Sequence, residues 1–400
     1  MFKPVAMAAV MVAGVLAAGA ASAQIAVGGG ATLPEVLYDQ ILPSGVGHTN
    51  FSYTGTGSGA GKTAFYNNNA TAFKNESLAT APFWPATQSV HFAGSDSLVS
   101  AAERDSYNSA RLATWGRMIQ VPAVGTSVLV PYKRAGIANL NLTDAQMCAI
   151  FSNKTGGQTW GQLRGTTDAT TVKVVYRTDT SGTTELLARY LVAACPSSGF
   201  VVSNAFTTMV AGALTGGTIP SHWVGANGSS GVSGSFGVDG RVGYLSPEAA
   251  YTGSDNSVVA RINNSLPSAA AIQAVLATKA LPTAGTTPAE ILAAANPLNW
   301  VPAYQKPASG YPIFGTTNLL VNQCYRDPAI QTKVKNFLTG LFGTTHNAAI
   351  TAHNFVNLPA TGTTTTNWKK AVSDVFLNAA HPLGIGNVNA CNNIGRPLAN

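Results

Sequence analysis

The chain has 400 residues, of which only 10% are charged, and a formal net charge of +7. Its basic residues are scattered, with no run longer than Lys133-Arg134 or Lys369-Lys370. A nucleic-acid surface needs a basic stripe with interleaved aromatics, and the absence of one excludes that partner class. The length exceeds what one hydrophobic core usually covers, so two lobes are expected.

Met1–Ala23 carries Lys3, then an apolar run, then Ala21-Ser22-Ala23. A basic start, an apolar middle and a small-residue end read as a secretory signal cleaved near Ala23/Gln24, which places the mature chain in the periplasm or outside the cell. Four cysteines follow far apart, at 148, 195, 324 and 391, with no C-x-x-C spacing, so zinc and thioredoxin chemistry are not expected. An even count in an exported chain suggests two disulfides. Of the three possible pairings we take sequence neighbours, one bridge per lobe.

Gly28-Gly-Gly-Ala-Thr32-Leu33 runs into Pro34-Glu35, a helix start with Leu33, Val36, Leu37 and Ile41 as its apolar stripe. Glycines let successive amides turn inward, and the helix start adds free N–H groups, so this loop is a candidate anion cradle. Phe51-Ser-Tyr53 reads as a strand before Gly55-Thr-Gly-Ser58-Gly-Ala-Gly-Lys62. The latter fails the P-loop pattern because Thr56 stands where glycine is required. It formally fits a dinucleotide fingerprint with Glu76 downstream, but Glu76 follows no evident strand. A Gly/Ser loop before a helix still suits an anion, with Ser58 donating. Val90-His-Phe-Ala-Gly94-Ser95-Asp96 is a strand running into a turn. An acid at an anion site fits one ligand class, an oxyanion that keeps a proton near neutral pH. Phosphate does; sulfate has no proton and would meet an unpaired like charge.

Met118–Val124 leads into Ser127–Tyr132, and much later Tyr311–Phe314 leads into Asn318–Asn322. These long extended segments suit crossings between lobes. Thr143-Asp-Ala-Gln146 is a capping box before Met147, Ile150 and Phe151. Val172–Tyr176 is a strand ending at Arg177, followed by Asp179, Ser181-Gly182-Thr183-Thr184 and a helix. Arg177 can hold two oxygens of a tetrahedral oxyanion, and Asp179 can fix that guanidinium. Val242–Leu245 is another strand. Ser268, Asp327-Pro328 and Trp368 open further helices. Short strands alternating with helices give an α/β architecture.

The chain resembles the phosphate-binding protein family of phosphate ABC transporters, and within it the DING branch. The likeness rests on Gly28–Pro34, Gly57-Ser-Gly59, Val90–Ser97, Tyr176-Arg177, Ser181–Glu185, Tyr311-Pro-Ile313 and Ile385-Gly-Asn387. The resemblance implies a type II periplasmic-binding-protein fold: two α/β lobes joined by two crossing strands, with a ligand cleft between them. Lobe I would take 24–124 and 316–400 after a signal peptide at 1–23, and lobe II 125–315. It implies a phosphate site built from Thr32, Leu33 (through its amide), Ser58 and Asp96 of one lobe and Arg177, Ser181, Gly182 and Thr183 of the other. Asp179 would orient the arginine. It also implies bridges Cys148–Cys195 and Cys324–Cys391, no cofactor or metal, a monomer, and an ABC transporter permease as partner. The family's name-giving Asp-Ile-Asn is replaced here by Ile25-Ala26-Val27.

An enzyme is not expected. The six histidines (His48, His91, His222, His346, His353, His381) are scattered without metal-ligand spacing, and no nucleophile elbow with an evident base stands out. A DING-type phosphatase acting on phosphate esters is the alternative.

Overall fold

The computed structural model describes residues 24–247, 255–301 and 304–399. Met1–Ala23, read above as an export signal, lies outside them. Two sheets organise the chain. The first has five strands in the order Phe51–Gly55, Ala26–Gly30, Phe92–Ser95, Phe314–Asn322, Met118–Ser127. Its first three strands are parallel, and Phe314–Asn322 runs antiparallel to both of its neighbours. The second has four strands in the order Tyr132–Lys133, Arg241–Gly243, Lys173–Arg177, Val224–Ala226. Lys173–Arg177 is parallel to both of its neighbours.

Each sheet has its own hydrophobic core. Met118–Ser127 is buried along its whole length, as expected of a strand covered on both faces. It continues into Val128, Val130 and Tyr132, which belong to the second core. Tyr311 and Ile313 also belong to the second core, while Phe314 joins the first. The two segments lie side by side where they cross: Val128 N–H donates to Ile313 O at 2.8 Å, and the Tyr311 hydroxyl donates to Val128 O at 2.7 Å. The expected pair of crossing strands is therefore present.

The stretch 269–301 departs from the expected second lobe of 125–315. Ile272, Leu276, Leu281, Ala294 and Trp300 all pack in the first core. Ser268 caps helix Ala269–Ala277 as expected. An apolar stripe at helical spacing shows that a helix is buried on one side, but not which of two cores it faces.

Most local signals hold. Thr143 closes a capping box on helix Asp144–Ser152, and Asp327 caps Pro328–Phe342 with Ile330, Val334, Phe337, Leu338 and Leu341 buried. Two expectations fail near the N-terminus. Val36 is exposed, and Tyr38 takes its place in the core. Gly28-Gly-Gly30 is not a loop but the end of strand Ala26–Gly30, with its register fixed on both sides. These glycines answer to crowding: a Cβ on Gly28 would stand 2.5 Å from the Phe92 ring, and one on Gly30 2.2 Å from Gly94 O. The disulfides are Cys148–Cys195 and Cys324–Cys391, closing loops of 47 and 67 residues. In the chain-entropy model each bridge restricts the unfolded chain by about 4 kcal/mol.

Candidate anion-binding site

Ligands in open α/β sheets bind beyond the carboxyl ends of parallel strands. Here five such ends contribute to one seam. Ala26–Gly30 leads to Thr32 and Leu33, Phe51–Gly55 to Ser58, and Phe92–Ser95 to Asp96. From the second sheet, Lys173–Arg177 leads to Arg177 through Thr183, and Val224–Ala226 leads to Gly228 and Ser229.

Arg177 is 3% exposed. Its Nε donates to Asp179 Oδ1 at 2.7 Å and its Nη2 to Asp179 Oδ2, a two-pronged pair. Gly228 N–H also donates to Asp179 Oδ1, at 3.0 Å. Burial alone raises the Asp179 pKa, but the hydrogen bonds and charge of Arg177, with the Gly228 amide, hold it below the ordinary value. The rest of the guanidinium reaches Thr32 of the other lobe and Ser229 of its own: Nη2 donates to Thr32 Oγ1 at 2.9 Å, and Nη1 to Ser229 Oγ at 3.4 Å. The Tyr244 hydroxyl accepts from Arg177 N–H at 3.1 Å and pairs with Thr184 Oγ1 at 2.6 Å, tying the strand end to the following helix.

That helix, Gly182–Ala194, points its N-terminus at the first lobe. The Ser181 hydroxyl oxygen caps it by accepting from Thr184 N–H at 3.3 Å. The Ser181 proton and the first-turn amides of Gly182 and Thr183 remain to donate. Thr183 Oγ1 is buried without a hydrogen-bond partner among the described residues. Gly182 makes the closest approach across the seam: a Cβ there would lie 2.2 Å from Asp96 Cβ and 2.6 Å from Ser58 Oγ.

Asp96 is 2% exposed, and its Oδ1 has no hydrogen-bond partner among the described residues. Its backbone N–H donates to Ser58 Oγ at 3.0 Å, which leaves the Ser58 proton free to go elsewhere. Burial pushes the Asp96 carboxyl up to about 7, and Glu185 adds to the rise; Thr317, Arg177 and Ser58 oppose it. A buried carboxylate oxygen and a buried hydroxyl without partners are costly unless something else satisfies them.

The lobes are closed on each other. Gly59 N–H donates to Thr180 O at 3.2 Å, and Leu98 N–H donates to Glu185 Oε1 at 3.2 Å. Lys62, on helix Ser58–Asn67, is committed to neighbours of its own lobe: its Nζ donates to Leu98 O at 3.0 Å and pairs with Glu103 at 2.9 Å. His91 is structural, its Nδ1 accepting Val27 N–H at 2.9 Å. Burial lowers its pKa to about 3. The structure thus brings Thr32, Leu33, Ser58, Asp96, Arg177, Asp179, Ser181, Gly182 and Thr183 to one seam. Ser229 and Ser246 are the residues that sequence reading missed. For Ser229 a signal was present in Asn227-Gly-Ser-Ser-Gly231, the same Gly/Ser pattern after a strand as at Ser58; Ser246 had none.

A family model described as the PBP superfamily domain matches residues 16–343. The chain belongs to the PBP superfamily. Its relatives in that superfamily include alkaline phosphatase L of Pseudomonas aeruginosa, 43% identical over 384 residues, which cover 94% of this chain and 95% of that one. A phosphate-binding protein of an unknown prokaryotic organism is 37% identical over 395 residues, covering 92% and 99%. Among solved structures, the phosphate-binding protein of Stenotrophomonas maltophilia superposes with a TM-score of 0.79 at 36% identity, covering 94% of this chain and 100% of that one. The high affinity periplasmic phosphate-binding protein PfluDING, solved bound with phosphate, gives 0.79 at 38%, with the same coverage. Solved structures similar to this chain thus include DING proteins, as the sequence motifs implied.

Proposed function

We propose that this protein is an exported receptor that closes two lobes around inorganic phosphate and delivers it to an ABC transporter permease. One observation carries the reading: a buried arginine held by its own acid faces, across the seam, a second buried acid whose Oδ1 lacks a partner among the described residues. The arginine and the helix start suit the anionic oxygens; Asp96 suits the oxygen that keeps a proton. The relatives named as phosphate-binding proteins support it. Phosphate bridges the lobes only when they are closed, so it draws the population towards the closed state. Titrating the phosphate-stripped mature protein with phosphate, arsenate and sulfate in a calorimeter tests this. The expected result is tight one-to-one binding of phosphate, with sulfate silent at about pH 8; no phosphate binding overturns the proposal.

Closure depends on the missing side chain at residue 182. Gly182→Ala puts a methyl group into Asp96 and Ser58, while alanine is the better helix former. We expect the variant to fold normally but lose phosphate affinity by roughly 5- to 150-fold, because a clash of this size costs ~1–3 kcal/mol. Small-angle scattering with saturating phosphate should show it more open than the parent.

A second reading rests on the relative named alkaline phosphatase L. In it the Ser58 hydroxyl would be the nucleophile and Asp96, poised near neutrality, its base. The seam contacts at Gly59 and Leu98 leave the closed form poorly suited to an ester's leaving group. We expect no sustained hydrolysis of p-nitrophenyl phosphate. Turnover that disappears in Ser58→Ala would establish the phosphatase instead.

A further inference from the structure

The turn that follows Asp96 is fixed within the first lobe at several points. Ser95 Oγ donates to Ser97 O at 2.7 Å, Val99 N–H donates to Gln120 Oε1 at 2.9 Å, and Lys62 Nζ donates to Leu98 O at 3.0 Å. A backbone donor taken out of water needs a partner, and the Leu98 N–H finds its own in the other lobe, donating to Glu185 Oε1 at 3.2 Å. The same carboxylate oxygen accepts from Arg189 Nη2 at 2.6 Å, one helical turn further along Gly182–Ala194. Leu98 is thus gripped by two opposed ion pairs: Lys62–Glu103 of the first lobe on its carbonyl, and Glu185–Arg189 of the second on its amide. Glu185 is 7% exposed, so water competes weakly for it. All four charged side chains line one groove of about 580 Å³ with walls from both lobes.

We infer that Glu185 is a positioning residue for lobe closure: its carboxylate, oriented by Arg189, latches onto the Leu98 amide and sets how long a bound anion stays. A carboxylate accepting an N–H makes a charge-assisted bond, about twice as strong as a neutral one. Donor and acceptor belong to different lobes, so the bond exists only where the lobes meet. An anion enters and leaves through the open form. A bond confined to the closed form therefore slows departure and leaves arrival nearly unchanged. The Arg189 guanidinium offsets the charge of Glu185, so the latch sets little net negative charge against an anion at the helix start. Leu98 stands two residues after Asp96, which ties closure to the turn that carries the acid. The effect on the anion rests on the phosphate reading above; the latch itself concerns only the two lobes.

Two measurements test it: stopped-flow kinetics with inorganic phosphate, and the distance between spin labels placed one on each lobe of the phosphate-free protein. Glu185→Ala is expected to raise the phosphate off-rate roughly 10- to 100-fold, the loss of one hydrogen bond to a charged group, with the on-rate changed by less than about threefold. The label distance should lengthen. Glu185→Gln keeps an oxygen for the Leu98 amide, so it should recover most of both effects. The two variants remove the same negative charge. Were Glu185 acting on the anion through its charge, both would hold phosphate more tightly than the parent. Were it only filling space, Glu185→Ala would melt lower but keep the parent's off-rate and label distance. Either result overturns the inference. Lys62→Met releases the Leu98 carbonyl and should raise the off-rate by less, and not at all in the Glu185→Ala background, where no latch is left to support; additive effects count against the latch. Should Glu185→Ala fail to fold, Lys62→Met decides through the label distance, which lengthens if closure hangs on Leu98 and otherwise stays as in the parent. If the parent itself ignores phosphate, the functional reading falls and the label distances still decide the latch. If the parent binds and Glu185→Ala matches its off-rate, only this inference falls.

Discussion

Arg177→Ala is expected to lower phosphate affinity roughly a thousandfold, the scale of breaking one partner out of a buried charge pair. The guanidinium is the one cation among the residues brought to the seam, and its orientation is imposed by the two-pronged bond to Asp179. Removing it also strands Asp179, which is held below the ordinary carboxylate range largely by that partner. A carboxyl depressed in the folded state adds stability above its ordinary range and loses that contribution as pH falls through the depressed value. The variant should therefore melt below the parent at neutral pH, with the gap closing in acid. Arg177→Lys keeps the charge but not the planar fork, so an intermediate loss is expected. Calorimetric titration of all three proteins decides the matter; phosphate binding by folded Arg177→Ala at the parent's affinity would refute the site.

The site was legible where one loop carried both a structural and a chemical signal. Arg177, Asp179 and the Ser181-capped helix are contiguous, and the strand before them has a clear β-branched pattern. Asp96 became readable through the ligand's proton rather than through its own surroundings. Ser229 was missed because Val224–Ala226, the strand that delivers it, is three residues long and shows no alternation to mark it. Gly28–Gly30 were misread for the opposite reason. Three glycines before a helix look like a phosphate cradle, yet here they admit the Phe92 ring and the Gly94 carbonyl close to the strand. Local spacing says that a backbone must come close to something, not what that something is.

The fold shows the same division. Crossing strands could be recognised because both segments read as unusually long extended runs. The excursion of 269–301 into the first core could not, since Ile272 and Leu276 would make an equally good stripe against either sheet. Partner choice between two cores is set by shape and connection length, which a periodicity does not encode.

Asp96→Asn is expected to admit sulfate. In the parent, an ionised Asp96 would face a sulfate oxygen with no proton between them, a like-charge contact in a buried seam worth several kcal/mol. Asparagine replaces that repulsion with an amide able to donate, so sulfate affinity should rise at least about a hundredfold at pH near 8. Phosphate should lose about tenfold, because its proton then meets a neutral acceptor. The Asp96 carboxyl is pushed up to about 7, chiefly by burial. An acid raised in the folded state binds more protons folded than unfolded between its ordinary range and 7, so its contribution to stability falls as pH rises through that window. Two consequences follow from the sign. Ligand-free Asp96→Asn should melt above the parent at pH near 8, and the difference should shrink towards pH 5. The parent should begin to bind sulfate as pH falls below about 7, where a protonated Asp96 becomes a donor to the same oxygen. Sulfate titrations of both proteins across that range check the reading. A parent that stays silent to sulfate in acid, together with an Asp96→Asn variant that stays silent at pH near 8, would leave Asp96 no part in selectivity and would return the choice of anion to the arginine and the helix start.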